Sequence, residues 1–186
     1  MMEISAWISN NESLLNGIAA VIVIFGFLGA LGRTLFKGLR DESGKVDHSN
    51  RITLAELSSP SPYRIEFAHS EGVNIAYSRF GDTGPPLIVT PGIISNLHVT
   101  SHLPPIRETM NSLAKFAKIT NFDKRGQGLS DPTSQVATME ERVKDISCIA
   151  DTTQTEKFFL MGISEGGPMS IKYAVDNPDR VAGLIL

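Results

Sequence analysis

The longest uninterrupted apolar run lies near the start of the chain. Residues 14–32 read LLNGIAAVIVIFGFLGALG, with Asn16 the one strongly polar side chain and no charge. Nineteen residues of helix span about 28 Å, close to the ~30 Å hydrocarbon core of a bilayer. Gly17, Gly26, Gly29 and Gly32 are poor residues for a soluble helix but common in membrane spans. The pattern predicts an extramembrane segment over 1–13, a transmembrane helix over 14–36, and lipid as a partner. Glu3 and Glu12 precede the span, whereas Arg33, Lys37, Arg40 and Lys45 follow it. The excess of positive charge after the span predicts a single pass through the cytoplasmic (inner) membrane, with the C-terminal part facing the cytoplasm. A cleaved signal peptide would need a basic start and a shorter apolar core. A buried soluble helix is the other alternative.

Residues 37–62 turn polar and read as a linker, carrying at most a short helix near Thr53–Leu57. Alternation then takes over. Tyr63–His69 and Val73–Phe80 flank Glu71-Gly72, which predicts a hairpin. Pro86–Thr90 is continuously apolar up to its last residue, as expected of a strand covered on both faces. Helical spacing of Ile106, Met110, Leu113, Ala114 and Ala117 predicts a helix over about 105–116. Further strands are predicted at Lys118–Asp123, Lys157–Gly162 and Val181–Leu186. Between the first two, Thr138 with Glu141 three residues on marks a helix start, and Val143, Ile146, Ile149 and Ala150 form its apolar face. Another helix follows Gly162, with Pro168 in its first turn and Asn177-Pro178 at its end. Strands alternating with helices predict an α/β class with parallel βαβ units after the hairpin, over 63–186.

Composition changes this picture little. The chain has 186 residues, a formal net charge of −3 and a single cysteine, Cys148. No intrachain disulfide can form, and no basic block points to nucleic acid. Cys148 reads as a small packed hydrophobe. No cluster of metal-ligand residues is evident, and no metal or cofactor is implied. The loop Gly126-Gln127-Gly128-Leu129-Ser130 lacks the lysine and hydroxyl arrangement of a phosphate-binding loop.

Chemistry concentrates in Phe158–Met169, FFLMGISEGGPM. Gly162-Ile163-Ser164-Glu165-Gly166 matches G-x-S-x-G between an apolar strand and a helix. A sharp turn there would hold Ser164 in a strained conformation at the C-terminal edge of the sheet, with Gly162 and Gly166 leaving room for it and Gly167 next in the same loop. Ser164 is the candidate nucleophile. A glycine-rich turn with an N-capping serine is the plainer alternative. The backbone N–H of Glu165 and that of Ile93, in the loop Pro91-Gly92-Ile93, are the candidate oxyanion donors, with Gly92 permitting close backbone approach. Pro91-Gly92 could also be a simple strand-ending turn. The Glu165 side chain could line a pocket or face solvent. Asp123, Arg125 and Asp131 read as structural.

These motifs, with Asp123-Lys124-Arg125-Gly126-Gln127-Gly128-Leu129-Ser130-Asp131 and Asn177-Pro178-Asp179-Arg180-Val181, make residues 63–186 resemble the N-terminal half of an α/β-hydrolase. The wording FDKRGQGLSDP with GISEGGPMS resembles the hydrolase-like modules fused ahead of bacterial class III adenylate/guanylate cyclases. That resemblance implies a small-molecule carbonyl substrate or ligand (an ester, amide or lactone) and a possible C-terminal cyclase or other output domain. Many relatives carry His-Gly where this chain has Pro91-Gly92. In α/β-hydrolases the acid and then the histidine follow the serine. Here His48, His69, His98 and His102 all precede Ser164. His98 and His102 could reach the pocket mouth, but a base from there would break the fold's usual order. The chain is therefore expected to be an N-terminal portion without turnover of its own. Two functions follow: a serine hydrolase completed by further residues, or a non-catalytic ligand-sensing module of a signalling protein.

Overall fold

The computed structural model describes residues 52–186. The predicted membrane span and its orientation lie outside the described residues. Among those described, no helix is long and apolar enough to cross a membrane.

Six strands form one sheet: β1 (Ile65–Ser70), β2 (Val73–Phe80), β3 (Pro86–Thr90), β4 (Lys118–Phe122), β5 (Phe158–Gly162) and β6 (Val181–Ile185), in the order β1-β2-β4-β3-β5-β6. The β1–β2 and β2–β4 pairs are antiparallel, while β4, β3, β5 and β6 run parallel. The predicted hairpin turns at Glu71 and Gly72, both with positive φ (48° and 82°), as a tight turn between twisted strands requires.

The helices are α1 (Leu54–Leu57), α2 (Leu97–His102), α3 (Pro104–Leu113), α4 (Met139–Thr152) and α5 (Gly166–Asp176). The sequence spacing after β3 predicts a single helix over about 105–116, with no element before it. In the structure α2 precedes it, capped by the Asn96 side chain accepting from the Val99 N–H at 3.0 Å. Leu103 is extended, because the residue before a proline avoids the helical region, and Pro104 restarts the chain as α3. Six residues carry too short a pattern to register as a helix. The Thr138–Glu141 capping box at the start of α4 forms as predicted.

The continuous apolar runs divide their side chains between two cores. Ile88 of β3 and Phe158 and Leu160 of β5 pack with Val143, Ile146 and Ile149 of α4 and Met169 and Tyr173 of α5. Leu87 and Val89, alternating with Ile88, join Ile119, Ala117, Leu113 and Phe159 on the opposite face. This two-sided demand explains the lack of polar alternation in β3 and β5. It also fixes register, since a one-residue slip would exchange the two sets.

Candidate active site

The turn between β5 and α5 puts Ser164 at the C-terminal edge of the parallel strands. Its φ is +52°, a left-handed conformation that a non-glycine residue adopts at a cost of order 1–3 kcal/mol. The turn is closed by Gly166 N–H donating to the Ile163 carbonyl and Gly167 N–H donating to that of Ser164, both at 2.9 Å. Ser164 is exposed and does not cap α5; the residue in that position is Glu165, without a side-chain capping bond. The glycines match the crowding. A Cβ on Gly166 would lie 2.2 Å from the Thr90 carbonyl oxygen, and one on Gly162 would lie 2.6 Å from the Gly167 Cα.

The end of β3 reaches the same place. Ile163 N–H donates to the Thr90 carbonyl at 3.0 Å. The buried Thr90 hydroxyl sits within 3.1 Å of the Met161 and Gly166 carbonyl oxygens and also meets Ser170 Oγ. A Cβ on Gly92 would stand 3.5 Å from the Ser164 Cβ and 3.3 Å from the Ile163 carbonyl oxygen. The loop after β3 thus lies directly against the serine turn. Among the described residues, neither the Ile93 nor the Glu165 amide donates to a protein acceptor, and the Ser164 hydroxyl has no protein partner. An exposed hydroxyl with unpaired amides at the next residue and in the adjoining loop leaves these polar groups open to a ligand.

The loop after β4 braces this arrangement. Buried Asp123 accepts the Leu97 N–H at 2.9 Å and the Leu129 N–H at 2.8 Å, and burial pushes its carboxyl above the usual range. Asp131 accepts the Asn74 N–H at 2.9 Å, and buried Arg125 pairs with buried Asp145 at 2.6 Å. All three side chains hold backbone or partner elements, in line with the structural roles read from sequence. Gln127 grips the loop after β3, its amide nitrogen donating to the Ile93 carbonyl at 2.9 Å and its amide oxygen accepting from the Ser95 N–H at 2.9 Å.

The Glu165 side chain resolves the choice between pocket and solvent differently. It pairs with both Lys124 and Arg142. The Lys124 hydrogen bond first, and then that of Arg142, hold its carboxyl below the usual carboxylate range. The folded state therefore releases this proton more readily than the unfolded chain. The resulting stabilisation is full above the unfolded value of about 4.3 and is lost as pH falls through the lower folded value. Melting temperatures of wild type and Glu165→Gln, measured from pH 7 down to pH 3, should differ at neutrality and converge at the acid end. A gap that persists undiminished at pH 3 would show that the carboxylate charge contributes nothing.

The described histidines hydrogen-bond to partners other than Ser164. His69 Nδ1 lies 3.2 Å from Asn74 Oδ1, His98 Nε2 lies 2.7 Å from the Leu57 carbonyl oxygen, and His102 Nε2 lies 3.0 Å from Ser59 Oγ. His98 and His102 thus dock the segment around α1. His48 lies outside the described residues. Among the described residues no group of His, Cys, Asp and Glu is placed to hold a metal. Cys148 is half-buried on α4, and burial pushes its thiol upward. An open hollow between Arg64, Arg79, Lys118 and Lys157 lies at the opposite, N-terminal end of the parallel strands and contains none of the candidate residues. Sequence reading missed Thr90, Gln127, Lys124 and Arg142; a strand-end threonine and a lysine inside the loop motif were the available signals.

A family of serine aminopeptidases (S33) matches residues 99–186. The human mitochondrial palmitoyl-protein thioesterase ABHD10 is 32% identical over 112 residues, covering 60% of this chain and 36% of the thioesterase. The chain thus spans about a third of the length of this curated relative. A hydrolase from Pseudomonas aeruginosa superposes with a TM-score of 0.59 at 24% identity, over 66% of this chain and 44% of that one. A protein from Nostoc, classed as an α/β hydrolase, gives 0.56 at 22% identity over 66% and 42%. The architecture is that of an α/β-hydrolase.

Proposed function

We propose that this α/β-hydrolase fold works as a membrane-anchored serine hydrolase on an ester, thioester, amide or lactone carbonyl. Ser164 Oγ attacks the carbonyl carbon, and its proton passes to a base supplied by residues other than those described. The carbonyl π bond opens, and the Ile93 and Glu165 amides receive the negative charge. Collapse of that intermediate breaks the bond to the leaving alcohol, thiol or amine, which takes the proton. Water then releases the acid and regenerates Ser164. The observation that carries this reading is Ser164 itself, exposed at φ +52° against the Gly92 backbone. Exposed Ile93, Ile94 and Ile163 beside it favour an apolar acyl group. The thioesterase likeness fits the same preference. Anchoring is supported by the apolar run at 14–32 with its basic flank, which also supports the cytoplasmic orientation.

A second reading has a specific observation in its favour: no described histidine touches Ser164. In that case the fold binds a carbonyl ligand without turnover and feeds an output domain such as a cyclase, as the wording FDKRGQGLSDP and GISEGGPMS suggests. Hydrolysis of p-nitrophenyl esters from acetate to palmitate by the intact gene product separates the two. The enzyme reading predicts turnover that favours longer chains and falls by about 10⁴-fold or more in Ser164→Ala. A folded wild-type protein that hydrolyses none of the esters would favour the sensor.

A further inference from the structure

Lys124 is an unusual side chain to bury. It is 1% exposed, and its ammonium reaches two groups: the Ile93 carbonyl at 3.2 Å and the Glu165 carboxylate. Those are the two residues whose amides are the candidate oxyanion donors. A lysine taken out of water needs compensation, and a single apolar side chain would pack there without that demand. The compensating acid is shared, because Arg142 of α4 binds the other oxygen of Glu165. Two cations on one carboxylate leave the trio with a net positive charge beneath the serine turn.

We infer that Lys124 is the positioning residue for the oxyanion site, tying the loop after β3 to the residue after Ser164 and adding a buried positive charge next to where the oxyanion forms. The inference rests on the hydrolase reading above. Its physical content is twofold. Lys124 joins two segments, 93 and 165, that are far apart in the chain and must hold their amides in one fixed geometry. Gln127 seconds it from outside, through the same Ile93 carbonyl. The net charge also helps an anion and does nothing for a neutral ground-state carbonyl, so the effect should appear in transition-state stabilisation and not in substrate binding.

The test compares wild type, Lys124→Met, Lys124→Arg and Glu165→Gln in the intact gene product. The readouts are the rate of Ser164 labelling by a fluorophosphonate probe, the kcat and KM for a p-nitrophenyl ester, and amide exchange in the 92–97 segment. Lys124→Met should slow labelling by about tenfold or more and lower kcat with little change in KM. Exchange over 92–97 should quicken, and Lys124→Arg should restore much of the rate. Glu165→Gln leaves the lysine in place but cuts its tie to residue 165; the lost tie should slow labelling by a smaller factor, partly offset by the added net positive charge, and it answers the question if Lys124→Met does not fold. Labelling of Lys124→Met at the wild-type rate, or a loss confined to KM, would overturn the inference while leaving Ser164 a nucleophile. A folded wild type that takes no label would overturn the hydrolase reading and this inference with it. Where Lys124→Met does not fold, wild-type labelling of Glu165→Gln would overturn the inference alone.

Discussion

Gly166→Ala is expected to damage both the fold and the candidate site. The new Cβ would sit 2.2 Å from the Thr90 carbonyl oxygen and 2.8 Å from that of Pro91. Both are backbone atoms, so no side chain can swing aside. Either the end of β3 moves away or α5 tilts, and both carry Ser164 away from the loop after β3. Overpacking of this kind costs about 1–3 kcal/mol, and more where the backbone cannot yield. A displacement of about 1 Å at a reacting group lowers rates by about 10²-fold. Urea unfolding and fluorophosphonate labelling of the intact gene product should therefore both suffer. Gly167→Ala is the matched control, because its Cβ would meet only the Leu186 side chain, at 3.9 Å. Equal behaviour of the two variants would contradict the packing described for the turn.

Arg125→Met should rank beside it for stability alone. Arg125 and Asp145 are 6% and 1% exposed, and the guanidinium makes bonds of 2.9 and 2.6 Å to the carboxylate. The Asp145 hydrogen bond, ahead of every other influence, raises the affinity of Arg125 for its proton. Removing the arginine leaves the buried Asp145 carboxylate without its cation. The cost of breaking such a pair is about 3–5 kcal/mol. Replacing both partners, as in Arg125→Met with Asp145→Leu, should recover much of that loss, because no buried charge is then left unpaired and only the exposed Glu141 loses an ion-pair partner. Chemical denaturation of the single and double variants reads this directly. A single variant within about 0.5 kcal/mol of wild type would show that the pair is not holding β1 and α4 to the loop after β4.

The parts of this molecule that sequence made legible are those set by local chemistry. Two-sided burial wrote the apolar runs of β3 and β5, so their strands and parallel pairing could be anticipated. The Thr138–Glu141 box announced α4 within a residue. The G-x-S-x-G spacing placed Ser164 at a strand-to-helix turn, and the structure gives that serine a positive φ. What stayed hidden depends on distant residues meeting. No local pattern says that Lys124 will reach Glu165, 41 positions on, or that Gln127 will hold Ile93, 34 positions back. Glu165 was ambiguous for that reason: its orientation is decided by cations on β4's loop and on α4. The α2 helix was missed because its cap, Asn96, sits after a loop and its few residues complete less than two turns. The histidines were legible only in part, since their order along the chain argued against a base from their side, while their docking role needed the contacts with Leu57 and Ser59.

The central proposal is that Ser164 is an activated nucleophile whose oxyanion the Ile93 and Glu165 amides receive. Reaction of the intact gene product with a fluorophosphonate, followed by peptide mapping in a mass spectrometer, tests it most directly. A single phosphonylated peptide carrying the adduct on Ser164, absent after heat unfolding, is the result expected. Unmodified Ser164 in folded protein, or an adduct distributed over other serines at a comparable rate, would contradict the account.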